Sequence, residues 1–184
     1  MLIFTSIILN KKRCVSVTKR VRIFFLSAAL LLAIPIASVS AASKECDNDP
    51  STSGCSQYLT PSSGSHWAYQ TGSGRNGDYR INSTSYSSEE LTWAVSLPSG
   101  TGSISVQAYL ANASFTNRSA SYYYMPSGHS TNYTLNSSFD QYNATNGFNY
   151  IGSMGGGNVL YYITVSAGGT TGANTGADAI LLSW

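Results

Sequence analysis

Leu91-Thr-Trp-Ala-Val-Ser-Leu-Pro-Ser-Gly-Thr-Gly-Ser-Ile-Ser-Val-Gln-Ala-Tyr-Leu110 reads as two β-strands and the turn that joins them. Leu91, Trp93, Val95 and Leu97 alternate with Thr92, Ala94 and Ser96. Ile104, Val106, Ala108 and Leu110 alternate with Ser103, Ser105, Gln107 and Tyr109. A period of two sends one set of side chains to a buried sheet face and the other set to the opposite face. Pro98-Ser-Gly100 supplies the turn.

The same grammar extends in both directions. Val159, Tyr161, Ile163 and Val165 alternate with Leu160, Tyr162 and Thr164. Shorter candidate strands cover 66–71, 78–82, 119–125, 131–135, 149–154 and 177–184. Pro126-Ser-Gly128, Gly155-Gly-Gly157 and Gly168-Gly169 punctuate them, and no segment sustains a helical period. Eight or nine short strands, roughly, with glycine-rich turns predict an all-β, antiparallel β-sandwich of jelly-roll type.

The N-terminus reads differently. Lys11, Lys12, Arg13, Lys19, Arg20 and Arg22 precede the charge-free run Ile23-Phe-Phe-Leu-Ser-Ala-Ala-Leu-Leu-Leu-Ala-Ile-Pro-Ile36, and Ala37-Ser-Val-Ser-Ala-Ala-Ser43 follows. Basic, apolar and small-residue regions in that order form a secretory signal peptide, residues 1–42, and predict a secreted protein. A permanent transmembrane anchor is the rival reading. An apolar run of about 14 residues falls short of the ~20 that span a bilayer, so no permanent membrane span is expected after leader removal.

Taking the leader away reverses the electrostatics. The whole chain has ten Lys plus Arg against eight Asp plus Glu. Six basic residues lie in the leader, so Lys44, Arg75, Arg80 and Arg118 face all eight acids, a net charge of −4. An acidic domain has no electrostatic case for nucleic acid as a partner. Cys14 leaves with the leader, and Cys46 and Cys55 remain as a pair. In an exported chain they read as a disulfide closing a short loop. A zinc site would need further Cys or His at fixed spacing, and none follows. Residues 43–65, rich in Ser, Asp, Pro and Thr, read as an N-terminal linker tied by that disulfide, with the sandwich domain at 66–184.

Gly176-Ala-Asp-Ala-Ile-Leu-Leu-Ser-Trp184 is similar to the closing strand of the golvesin C-terminal domain, also described as the carbohydrate-binding-like domain of xanthan lyases, where Ala-Asp-Ala-Val follows a glycine-rich loop. The strand pair that begins at Leu91 resembles that family's pair around a proline-glycine turn. Asn117-Arg-Ser-Ala-Ser-Tyr122 and Gly147-Phe-Asn-Tyr-Ile-Gly152 occupy the places of two further family segments. Two positions depart from the pattern. Phe148 or Tyr150 stands where the family has Trp, and Leu181 or Leu182 where a basic residue commonly follows Ala-Asp-Ala-Val. The resemblance implies a jelly-roll, galactose-binding-like sandwich that binds polysaccharide.

Sugar binding needs flat aromatic faces and groups that pair with hydroxyls. Trp67, Tyr69, Tyr123 and Tyr142 are the stacking candidates, with Arg118, Asp140, Gln141 and Asn143 for polar contacts. The expected partner is an extracellular polysaccharide or cell-envelope glycan. Tyr161 and Tyr162 point to opposite faces, and the middle ring of Tyr122-Tyr123-Tyr124 opposes the other two, so one ring of each group is expected on an outer face.

Asp178 lies between Ala177 and Ala179 in an apolar strand, where a carboxylate must be hydrogen-bonded or coordinated. A structural bond to a loop backbone is the favoured reading; a calcium ligand, joined by Asp140, and a catalytic acid are the alternatives. No other cofactor is expected. The chain is expected not to be an enzyme. His66 and His129 have no nucleophile motif beside them, and Glu89 and Glu90, neighbours on a strand, point to opposite faces where a glycosidase needs facing carboxylates. A structural or adhesive surface protein acting through protein contacts is the functional alternative, with a hydrolase behind it.

Overall fold

The computed structural model describes residues 41–48, 53–110 and 114–184. Apart from its last two positions, the expected leader lies outside the described residues. Twelve strands follow one another: β1 (Ser43–Cys46), β2 (Cys55–Thr60), β3 (Ala68–Thr71), β4 (Asp78–Asn82), β5 (Glu90–Ser96), β6 (Ile104–Leu110), β7 (Ala120–Pro126), β8 (Tyr133–Phe139), β9 (Gly147–Met154), β10 (Leu160–Ser166), β11 (Thr175–Ala177) and β12 (Ile180–Ser183). Every described pairing is antiparallel. The sheets run β1-β12-β6-β9, β2-β5-β10-β7-β8 and, smaller, β11-β4-β3. The all-β sandwich expected from the alternation is what forms. No helix among the described residues is long and apolar enough to cross a membrane.

The alternating runs supply the inner faces. Leu91, Trp93 and Val95 of β5 and Tyr161, Ile163 and Val165 of β10 are buried, as are Ile104, Val106 and Ala108 of β6 opposite them. Leu91 and Tyr161 are 0% exposed, and emptying either site costs about 3 kcal/mol or more. A buried tyrosine also needs a partner for its hydroxyl. Tyr161 donates to the Gly155 carbonyl (3.1 Å), and Tyr122 accepts from Gln141 Nε2 (2.8 Å).

The segment read as a linker, 43–65, does more than connect. It contributes β1 to the four-stranded sheet, paired with β12, and β2 to the five-stranded sheet, paired with β5. The reason lies in Cys55-Ser-Gln-Tyr-Leu-Thr60: Cys55 and Leu59 turn inward onto the core while Ser56, Tyr58 and Thr60 stay exposed. The Cys46–Cys55 disulfide, with Cα atoms 5.7 Å apart, therefore joins edge strands of the two sheets. With β11, these strands account for the excess over the eight or nine anticipated.

Candidate functional site

The outer face of the five-stranded sheet carries the residues that the core does not consume. Successive strands bring Tyr58, Thr92, Thr164 and Tyr123 into one cross-strand row. The two tyrosines stand three strand spacings apart, roughly 14 Å along the row. Between them Thr92 Oγ1 and Thr164 Oγ1 share a hydrogen bond of 2.9 Å. The next row places Ala94, Tyr162 and Met125 side by side. Together with Glu90, Ser130 and Asn132, the residues Tyr58, Thr92, Tyr162, Thr164 and Met125 line a cleft of about 570 Å³. Tyr58 is 54% exposed, so its ring is free to meet a ligand.

Glu90 is the only carboxyl group of that lining. It begins β5, between Thr60 and Ser166 on the flanking strands, and partial burial raises its pKa. Its neighbour Glu89 faces the other way and is consumed by the fold. Glu89 accepts from the His66 backbone N–H (3.0 Å) and from Asn82 Nδ2 (2.7 Å), and pairs with His66 Nδ1 at 2.5 Å. Burial pushes the Glu89 pKa up, but these bonds outweigh it and the net shift is downward.

The sequence candidates divide among four places. Tyr123 lies in the groove row, half-buried, on the face opposite Tyr122. Trp67 must be withdrawn as a stacking platform: it is 3% exposed and belongs to the core, so neither ring face is open to a ligand. Tyr69 is exposed on β3, away from the groove; its hydroxyl donates to Asp78 Oδ2 (3.0 Å), and the Arg80 guanidinium lies 5.7 Å from its ring centre.

Arg118, Asp140, Tyr142 and Asn143 do converge, at the turn between β8 and β9. The Arg118 guanidinium sits 4.2 Å from the centre of the Tyr142 ring. Asp140 accepts the backbone N–H (3.0 Å) and side-chain amide (2.7 Å) of Asn143. These bonds and nearby Arg118 overcome the upward push of desolvation and lower the Asp140 pKa. Gln141 is no ligand contact. It is 2% exposed and bonds Tyr122, the Gly176 backbone and the Asn117 carbonyl, which fixes the turn from beneath.

Asp178 occupies the two-residue link between β11 and β12. Its Oδ2 accepts the backbone N–H of Arg75 (2.9 Å), a bond to a loop. The loop approaches so closely at Gly74 that an added Cβ would fall 1.6 Å from the Asp78 carbonyl oxygen and 3.0 Å from Asp178 Oδ2. Burial lifts the Asp178 pKa to about 8, and Asp47 and Asp78 push in the same direction against the Arg75 N–H. Asp178 is thus bonded to the Arg75 loop, and Asp140 to Asn143 in the β8–β9 turn. Among the described residues no group of three or more His, Cys, Asp or Glu side chains is placed to hold a metal ion.

Tyr58, Glu90 and Tyr162 were not among the sequence candidates. Tyr162 was signalled by its alternation with Tyr161. The signal for Tyr58 is the period of two from Cys55 to Thr60, hidden in a segment whose composition reads as linker.

No family model matches the chain, and no curated protein does. Among solved structures the chain is similar to a Paenibacillus xanthan lyase, with a TM-score of 0.60 and 16% identity over 77% of this chain. That likeness is one of fold, and it spans 13% of the lyase chain.

Proposed function

We propose that this protein is a secreted, non-catalytic domain that binds glycan chains across the outer face of its five-stranded sheet. The observation that carries this reading is the groove itself: tyrosine rings on a floor of threonine hydroxyls, with serine, asparagine and one carboxyl group at its sides. A sugar presents apolar ring faces and hydroxyls together, and this lining offers partners for both. The resemblance to the golvesin C-terminal domain and the fold likeness to part of a xanthan lyase support a carbohydrate-directed role. The Cys46–Cys55 disulfide fits an extracellular setting. A non-catalytic role is favoured because Glu90 stands alone in the lining, whereas glycosidic hydrolysis uses two facing carboxyl groups.

The test is titration of the purified protein with soluble oligosaccharides, and retention on insoluble polysaccharide, for wild type, Tyr58→Ala and Tyr162→Ala. Each substitution is expected to weaken binding about tenfold, the loss of one ring contact. Wild-type protein that binds no glycan while self-associating as its concentration rises would sink the reading in favour of adhesion. Released sugar in the same assay would mark an enzyme.

A further inference from the structure

We infer that the groove selects sugars bearing free amines, takes neutral sugars more weakly and rejects acidic ones; this rests on the glycan-binding reading above. The inference comes from where the charges are. Among the eight residues that line the cleft, Glu90 carries the single carboxyl group, and none is Lys, Arg or His. A uronic acid or other carboxylate-bearing sugar would bring a second negative charge into a cleft with no cation to receive it. Like charges brought together in a partly desolvated site are costly, whereas a protonated amine gains a charge-assisted hydrogen bond.

The cations that might have served an acidic glycan are engaged elsewhere. Lys44 donates to the Ser53 carbonyl, Arg75 pairs with both carboxylate oxygens of Glu45, and Arg80 donates to Gln57. Arg118 stacks on Tyr142 at the β8–β9 turn. Of the histidines, His66 is bound to Glu89, and His129, beside the lining residue Ser130, lies edge-on to Tyr133 and outside the lining itself. Partial burial also raises the Glu90 pKa, which an ammonium partner would relieve and a carboxylate would worsen. The groove is thus set against acidic polysaccharide by composition, and the domain around it, at a net −4 after leader removal, repels polyanions at longer range.

Three oligosaccharides of equal length provide the test: glucosamine, N-acetylglucosamine and glucuronic acid, titrated calorimetrically into the purified protein at about pH 6, where most of the amines are charged and the uronates ionised. The expected order is amine, then neutral, then acid, with about tenfold between steps. Raising the salt is expected to weaken the amine ligand and leave the neutral one unchanged. Glu90→Gln should bring amine and neutral ligands within about twofold and improve the acid. Acid binding that disappears with Arg118→Ala would belong to the β8–β9 turn and agree with the inference. Uronate affinity equal to the amine's and retained in Arg118→Ala would overturn it while leaving glycan binding intact. If the wild type bound none of the three, the functional reading itself would fall.

Discussion

Glu89 and Glu90 are adjacent in the chain and live in opposite worlds. Behind the five-stranded sheet, Glu89 is buried and its carboxylate holds the fold: the His66 backbone and ring and the Asn82 amide are gathered on it. In front, Glu90 has hydroxyls, rings and solvent around it, and partial desolvation raises its pKa. The backbone pleat makes this separation. The difference teaches that a carboxylate's role here depends on which face it reaches, since composition and neighbourhood in sequence are nearly the same.

The comparison breaks first at Glu89. Glu89→Ala leaves the buried Asn82 donor unpaired and removes the acceptor of the exposed His66, and is expected to destabilise the protein by about 2 kcal/mol. Glu90→Ala should change stability by less than about 0.5 kcal/mol. Urea unfolding of both variants checks this; equal losses would erase the distinction between the two faces.

A second test sharpens it through pH. Asp178, like Glu89, lies inside the fold, but its pKa is raised to about 8 from 3.8. Its contribution is therefore complete below about pH 4 and is lost as pH rises toward about 8. Glu89 has a lowered pKa, so its contribution is present above its ordinary value of 4.5 and is lost as pH falls through the folded value. Asp178→Asn keeps an oxygen for the Arg75 N–H and removes the charge. It is expected to gain about 1–2 kcal/mol over wild type at pH 8 and little at pH 5, measured by denaturation at both. A gain that does not depend on pH would sink the assignment.

A small effect belongs to the β8–β9 turn. Arg118→Ala exposes the Tyr142 ring and removes one cation–π contact, with an expected stability change of about 0.5 kcal/mol. Glucosamine binding in the groove should stay within about twofold of wild type. A tenfold loss would place the binding surface at the turn instead.

How much of this was legible in the chain follows from what alternation can and cannot say. It located β5, β6 and β10 and assigned their faces, because one side of each strand is continuously apolar. It also put one ring of each tyrosine group on an outer face, and those rings are Tyr162 and Tyr123. It missed β1 and β2, where Ser, Asn, Asp and Thr mask a period of two only six residues long. It overvalued Trp67, because a tryptophan's type does not reveal whether a second layer covers it. Glu90 was judged only as half of a catalytic pair, when its isolation is what gives the groove its charge.

The disulfide acquires another meaning when the chain is pulled. Ala42 and Trp184 exchange two backbone hydrogen bonds, 3.1 and 3.0 Å, at the open end of the β1–β12 ladder. Tension applied between these two residues would act on that ladder as on a zipper, releasing Ser43 from Ser183, then Lys44 from Leu182, then Glu45 from Leu181. At Cys46 the load passes through the sulfur bridge into β2, which is held along its length by β5 in the other sheet. The first strand can thus yield as a short slack of about 14 Å, four residues at 3.4 Å each, before the sandwich itself must bear the force.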